Sequence, residues 1–376
     1  MKPHIQRIAA ASLLLRSSRP LWTTAVTHSK PAICQHLPYC LQVQQQQQQL
    51  ISHNDLTSRH FTTASTAAPV TTNSVEEGKH EPVPEPFHFI AYAAWHPKTK
   101  QRTNQSKVPY WKQIHRTGKV DAGEDAFFQT TTPEGLAIGV ADGVGGWSTV
   151  GVDPALFSWT LMDNAAMIAK HEKVIDAHQI LDAAFHELRK SGKVAAGSST
   201  ACILNLSKTT GEMTSCNLGD SAFLLVRDKK IVYESPSQQH YFNCPYQLTV
   251  VPESYPNRDA LVTDLPKDAD TKKFYLKNGD LILLATDGYF DNMYSEETLE
   301  IINAGMESIE GKDPDMVKAT IRRLAKTLTE KARRQSLDPK RLSPWAKAAQ
   351  AHGSNYRGGK VDDITCIVTL VCHNKM

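Results

Sequence analysis

The stretch Gly139-Val140-Ala141-Asp142-Gly143-Val144-Gly145-Gly146-Trp147 sets one carboxylate at the end of an apolar run and follows it with glycines. The run reads as a buried strand that delivers Asp142 to a fixed point. The glycines let main-chain carbonyls approach a cation that a side chain would block. Three acidic segments echo it: Gly123-Glu124-Asp125 upstream, Leu284-Ala285-Thr286-Asp287-Gly288 downstream, and Asp362-Asp363 near the C-terminus. Taken singly, each has a simpler reading. Asp-Gly after a strand is usually a turn, and a Glu-Asp pair is usually solvated surface. Taken together they carry weight, because several abut long apolar strands rather than sitting in polar loops.

Around these acids the pattern alternates between sheet and helix. Ala126-Phe127-Phe128 and Leu136 to Val140 flank the turn residues Pro133-Glu134-Gly135, a hairpin that leaves Asp125 and Asp142 at neighbouring strand ends. Asp153-Pro154 supplies the N-cap and first residue of a helix with Phe157, Leu161 and Ile168 on one face. Asp176 caps a second helix through Ile180, Leu181, Ala184, Phe185 and Leu188, ended by Gly192. Two consecutive helices with no strand between them argue against a doubly wound sheet. Strands are expected at Thr200–Leu206, Ser221–Arg227, Lys230–Glu234, Leu281–Ala285 and Ile364–Val371, with helices from Ser295 and over Asp315–Arg334. The sum is an α+β fold, helices packed on antiparallel sheets with carboxylates at the strand ends.

The chain of 376 residues is 40% hydrophobic and 22% charged, ordinary values for a globular protein. Its net charge of +3 is unevenly placed. Residues 1–61 hold six of the 42 basic residues and one of the 39 acids, leaving 36 basic against 38 acidic, so nothing in the body argues for nucleic-acid binding. That first stretch is rich in Arg, Ser and Ala and spaces Ile5, Ile8, Leu13 and Leu15 among basic residues. It reads as an amphipathic mitochondrial transit peptide, with Arg59-His60-Phe61 at its end. Its apolar run is too short to span a bilayer, and no transmembrane segment is expected. Residues 62–86 read as a disordered linker, and the folded domain is expected over 87–374. No Cys-x-x-Cys or zinc spacing is present, and Cys202, Cys216, Cys244, Cys366 and Cys372 lie mostly in apolar runs, as small buried hydrophobes would.

Two divalent ions held close together need a bridging carboxylate, terminal carboxylates, carbonyls and water, since hard cations prefer oxygen. Asp142 is the candidate bridge. Asp287 and Asp362 would bind one ion, and Glu124 and the Gly143 carbonyl the other, with Asp125 bound directly or through water. Such a pair lowers the pKa of a bridging water and neutralises charge on a phosphoryl group. Catalysis is accordingly expected to rest on Asp142, Glu124 and Asp125.

Six motifs then stand in order: Gly123-Glu124-Asp125-Ala126, Val140-Ala141-Asp142-Gly143, Gly197-Ser198-Ser199-Thr200-Ala201, Asn217-Leu218-Gly219-Asp220-Ser221, Ala285-Thr286-Asp287-Gly288-Tyr289-Phe290-Asp291 and Asp362-Asp363-Ile364-Thr365. In these the chain resembles the metal-dependent PP2C-type serine/threonine phosphatases. The resemblance implies a β-sandwich of two antiparallel sheets flanked by helices. It also implies two Mn2+ or Mg2+ ions on Asp142, Gly143, Asp287 and Asp362, with Glu124 and Asp125 supporting. Asp220 and Asp291 match acids that hold a weaker third metal, and read equally well as turn residues. Asp142 to Trp147, Gln238 to Leu248 and Phe290-Asp291-Asn292-Met293 resemble the mitochondrial branch of that family. This implies phosphorylated matrix proteins as substrates, among them proteins of coenzyme Q synthesis, and a monomer is expected.

Two positions depart from the family. Val144 stands where many members carry a histidine proposed as general acid, and Val120 stands where many carry a phosphate-gripping arginine, with Lys119 beside it. The departures give weight to a rival reading, a pseudophosphatase or regulatory phosphoprotein-binding module. His240 is a candidate acid that reads more simply as structural. Gly353 to Lys360 is a near miss to a phosphate loop, one place out of register. The long polar region from Pro236 to Thr271 is expected to form a substrate-selecting loop.

Overall fold

The structure is a computed structural model and describes residues 86–98 and 119–373, apart from 174, 256, 257, 308 and 310. The expected transit peptide, and the linker up to residue 85, lie outside the described residues. In chain order the strands are β1 (Phe87–His96), β2 (Asp125–Thr132), β3 (Gly135–Asp142), β4 (Gly197–Ser199), β5 (Ala201–Ser207), β6 (Glu212–Leu218) and β7 (Ala222–Arg227). They continue with β8 (Lys230–Glu234), β9 (Gln239–Tyr241), β10 (Cys244–Pro245), β11 (Leu248–Val250), β12 (Asp270–Tyr275), β13 (Leu281–Ala285) and β14 (Ile364–His373). The helices are α1 (Pro154–His171), α2 (Ala177–Ser191), α3 (Asp287–Phe290), α4 (Ser295–Glu307), α5 (Pro314–Ser336) and α6 (Pro344–Ala351).

Two five-stranded antiparallel sheets form the body, in the orders β1-β14-β13-β7-β8 and β12-β6-β5-β3-β2. The period-2 alternation of each central strand sorts its side chains onto two buried faces. On β13, Ile282 and Leu284 turn inward to meet Ile138, Val140, Leu204 and Ile367 between the sheets. Leu281, Leu283 and Ala285 turn outward onto Ile321, Leu324 and Leu328 of α5. On the far side α1 and α2 cover the second sheet through Phe157, Leu161, Ile180, Leu181 and Leu188 against Ala137, Ala201 and Ile203. The layers therefore run helix, sheet, sheet, helix, as expected for the sandwich.

The caps behave as the sequence implies. Asp153 accepts from the Ala155 amide. Asp176 and Gln179 form a reciprocal capping box, and Gly192 closes α2 in the left-handed region. β6, β12 and α6 are elements the sequence reading passed over. Within the region from 236 to 271 lie the short pair β9–β10 and β11, which pairs with β4, before the chain enters β12. The five cysteines are buried and unbonded to each other, and burial pushes the Cys216 and Cys366 thiols up to about 12.

Because β13 is covered on both faces, Leu283→Ala and Leu284→Ala are each expected to lower the unfolding free energy by about 2–5 kcal/mol. Val232→Ala, on a half-exposed position of β8, is expected to stay within about 0.5 kcal/mol. Chemical denaturation reads both, and a loss at Val232 as large as at Leu283 would contradict the layer order.

Candidate active site

Antiparallel pairing brings the acidic segments to one end of the sandwich. In the second sheet Asp125 lies directly opposite Asp142 across the β2–β3 pair. In the first, Ala285 of β13 pairs with Cys366 of β14 and with Ala222 of β7, so Asp287, Asp362 and Asp220 sit just beyond the same end. The two sheets are joined there by side chains. Thr286 Oγ1 donates to Asp125 Oδ2 at 2.8 Å, and Asp363 Oδ2 accepts from the Glu124 amide at 2.9 Å.

Two lysines stand among these carboxylates. Lys98 Nζ lies 2.7 Å from Glu124, 3.1 Å from Asp362 and 3.4 Å from Asp363. Lys360 Nζ lies 2.6 Å from Asp287, 2.5 Å from Asp291 and 3.2 Å from Asp362. Burial and repulsion from Asp287 push Asp142 well above the ordinary carboxylate range, and burial with repulsion from Asp363 does the same to Asp125. Burial lifts Asp291 to about 7 against the opposing charge of Lys360. Burial would lift Asp362 as well, but Lys360 and Lys98 overrule it and hold the group below its usual value.

Several features fit a divalent cation. Asp125 Oδ1 and Asp287 Oδ1 are buried with no hydrogen-bond partner, while their sister oxygens are held by Thr286 and Lys360. Backbone passes close by: a Cβ on Gly143 would fall 2.5 Å from the Pro154 carbonyl oxygen, and one on Gly145 2.8 Å from Glu124 Oε2. Among the described residues no three His, Cys, Asp or Glu side chains form a ready-made metal cage. Glu124 Oε2, Asp287 Oδ2 and both oxygens of Asp362 are instead engaged by the lysines, so ion binding requires the ammoniums to yield some of these contacts.

Asp142, Glu124, Asp125, Asp287 and Asp362 thus converge as expected, and Asp291 joins them through Lys360. Asp220 belongs to the same cluster: burial and repulsion from Asp287 push it well above the ordinary carboxylate range against the opposing charge of Lys360, and Gln239 Nε2 approaches it at 3.5 Å. Lys119 turns away, pairing with Asp163 and lying 5.0 Å over the Trp159 ring. His240 pairs with Asp264 at 3.0 Å and stacks on Tyr246, the structural role expected of it. Beside the acids a cavity of about 290 Å3 is lined by Val144, Trp147, Pro245, Leu261 and Val262, with Ser198 among the polar groups. Lys98, Lys360 and Asp363 were not singled out from the sequence as site residues. Lys360 lay in the discarded near-miss loop, whose position two residues before Asp362 was the available signal.

A family model described as "Stage II sporulation protein E (SpoIIE)" matches residues 132–338. "Protein phosphatase PTC7 homolog" of Homo sapiens is 40% identical over 256 residues, 66% of this chain and 79% of the relative. The chain belongs to the PP2C family. It is a PP2C-type serine/threonine protein phosphatase. "5-azacytidine resistance protein azr1" of Schizosaccharomyces pombe is 39% identical over 284 residues, 74% of this chain and 93% of that one. Among solved structures, that titled "X-ray structure of the photosystem II phosphatase PBCP" is 28% identical, with a TM-score of 0.57 over 75% of this chain and 98% of the other. Among the described residues no helix is long and apolar enough to cross a membrane.

The PP2C site depends on one close approach in particular. A Cβ on Gly288 would fall 1.9 Å from the Asp363 carbonyl oxygen. Gly288→Ala must therefore displace the segment carrying Asp362 and Asp363, at an expected cost of about 1–3 kcal/mol. Unfolding in metal-free buffer measures it, and an unchanged midpoint would show that the segment yields freely.

Proposed function

We propose that this phosphatase hydrolyses phosphoserine and phosphothreonine with two Mn2+ or Mg2+ ions and no covalent intermediate. The supporting observation is the meeting of carboxylates from both sheets at one end, with two buried oxygens, Asp125 Oδ1 and Asp287 Oδ1, left without partners. When bound, the ions supply an activated water nucleophile and neutralise phosphoryl charge. In this reading Asp142 would hold both ions, Asp287 and Asp362 would hold one, and Glu124 with the Gly143 carbonyl would hold the other. Asp125 reaches the second side, oriented by Thr286. Asp363 positions the site by fixing the Glu124 and Lys98 amides, at 2.9 and 2.7 Å. Val144 has no proton to give, so the leaving group is protonated by solvent or another side chain.

Asp142→Asn tests the assignment. The variant is expected to lose Mn-dependent hydrolysis of p-nitrophenyl phosphate while keeping its secondary structure. It is also expected to lose the Mn-induced stabilisation, about 2.7 kcal/mol for the unaltered chain at 100 times the dissociation constant. A fully active variant, or one still stabilised by Mn2+, contradicts the bridging role. Saturable Mn2+ binding with no turnover by the unaltered chain would favour the pseudophosphatase reading.

The cavity beside the site supports a substrate preference. Its lip, Val144 and Gly145, follows directly on the proposed ligand Gly143, and its wall is apolar. It fits an apolar side chain flanking the phosphorylated residue of an extended peptide, since neighbouring residues are spaced about 3.3 Å apart. Val262→Asp is expected to raise KM several-fold for phosphopeptides with such a residue, leaving p-nitrophenyl phosphate hydrolysis within about twofold. Equal effects on both substrates would remove the cavity from recognition.

The matrix address rests on the basic, acid-poor composition of residues 1–61. With it goes the reading that matrix phosphoproteins, including those of coenzyme Q synthesis, are the substrates. Fractionation of cells expressing the full chain and the chain from Thr62 compares the two addresses, and identical distributions would refute the presequence.

A further inference from the structure

We propose that Lys360 is a built-in cation standing where a third divalent ion would have to sit, so that this chain works with two ions and a lysine. The inference rests on the two-ion reading above. Lys360 directs its ammonium at Asp287, Asp291 and Asp362 together, donating to Asp287 and Asp291 at 2.6 and 2.5 Å and ion-paired with Asp362 at 3.2 Å. Asp291 is one of the two acids, with Asp220, that the family resemblance offers to a third metal, and here one of its oxygens is already taken.

The lysine is also anchored by its main chain. The Lys360 amide donates to Asn292 Oδ1 at 2.9 Å, and Asn292 Nδ2 donates to the Lys360 carbonyl at 2.8 Å and to the Gly288 carbonyl at 2.9 Å. Asn292 is fully buried, so this two-way clamp sets Lys360 beside the Asp287–Asp291 turn whatever the ammonium does. The glycine before it serves the same placement. A Cβ on Gly359 would meet the Gln335 carbonyl oxygen at 2.0 Å, so only glycine lets this segment lie against the end of α5. The stretch that nearly matched a phosphate loop is thus a lysine-delivery loop.

The charge arithmetic favours the lysine over an ion. With Asp287 and Asp362 given to the two ions, Lys360 keeps Asp291, and a third divalent ion would need that carboxylate to leave its ammonium and would bring two more positive charges within a few ångströms of it. A lysine fixed in the chain brings one charge, permanently and at no cost in ion concentration.

Counting Mn2+ on the full chain, by the paramagnetic resonance signal of the free ion during titration, tests this. Two ions are expected on the unaltered chain and two on Asp291→Asn, because Asp291 serves the lysine. Three are expected on Lys360→Met, falling back to two when Asp291→Asn is added. Three ions on the unaltered chain, one of them lost in Asp291→Asn, overturns the proposal, as does Lys360→Met holding only two. If Lys360→Met does not fold, the first pair of titrations still decides. Fewer than two ions on the unaltered chain overturns the two-ion reading beneath it.

Discussion

Like charges brought together out of water repel, and the end of this sandwich gathers them from both sheets. Asp125 and Asp142 face each other across a strand pair, with Asp287 and Asp362 close enough to Asp142 to raise its proton affinity. Buried carboxylates of one sign are tolerated only where cations or hydrogen-bond donors compensate them. Lys98 and Lys360 do part of this, Thr286 and the Glu124 and Lys98 amides do another part, and the partnerless oxygens of Asp125 and Asp287 mark what remains. The rest of the structure serves to hold these groups against their repulsion.

The holding is done by backbone more than by side chains. Register in β13 and β14 fixes Asp287 and Asp362 relative to each other, because a slip by one residue would also turn Leu283 and Leu284 onto the wrong faces. Gly123, with φ of +73°, and Gly288 let the acidic segments pass within contact of Asp363, where a Cβ would fall 2.0 and 1.9 Å from its atoms. Gly123 and Gly288 therefore serve the join between the sheets. They allow strands from two sheets to bring their ends together.

Much of this was legible in the sequence where apolar periodicity and cap chemistry agreed. β13, the β2–β3 hairpin and the capped ends of α1 and α2 fall where the pattern places them. β12, Asp-Thr-Lys-Lys-Phe-Tyr, was missed because it is an edge strand carrying lysines on exposed positions, a composition that reads as loop. β6 was missed because Thr214, Ser215 and Asn217 interrupt its apolar alternation. The proposed ligands were legible because each follows a strand with a motif of its own. Lys98 and Lys360 were not, since a lysine's partners depend on which distant segments the fold brings within reach of its stem.

The lysines also bear on why Val144 and Val120 leave the acids intact. Had the site lost its chemistry, the repulsion among Asp142, Asp287 and Asp362 would be a cost with no return, and single exchanges to Asn or Ser would relieve it. The chain instead retains the carboxylates and places two ammoniums beside them, one half-exposed at the rim and one deeper behind Asp291. Cations fixed in the chain offset the repulsion before any ion arrives, yet they leave oxygens free on Asp125 and Asp287. Compensation that stops short of neutrality is what a site needs if it is to stay folded without ions and still draw them in.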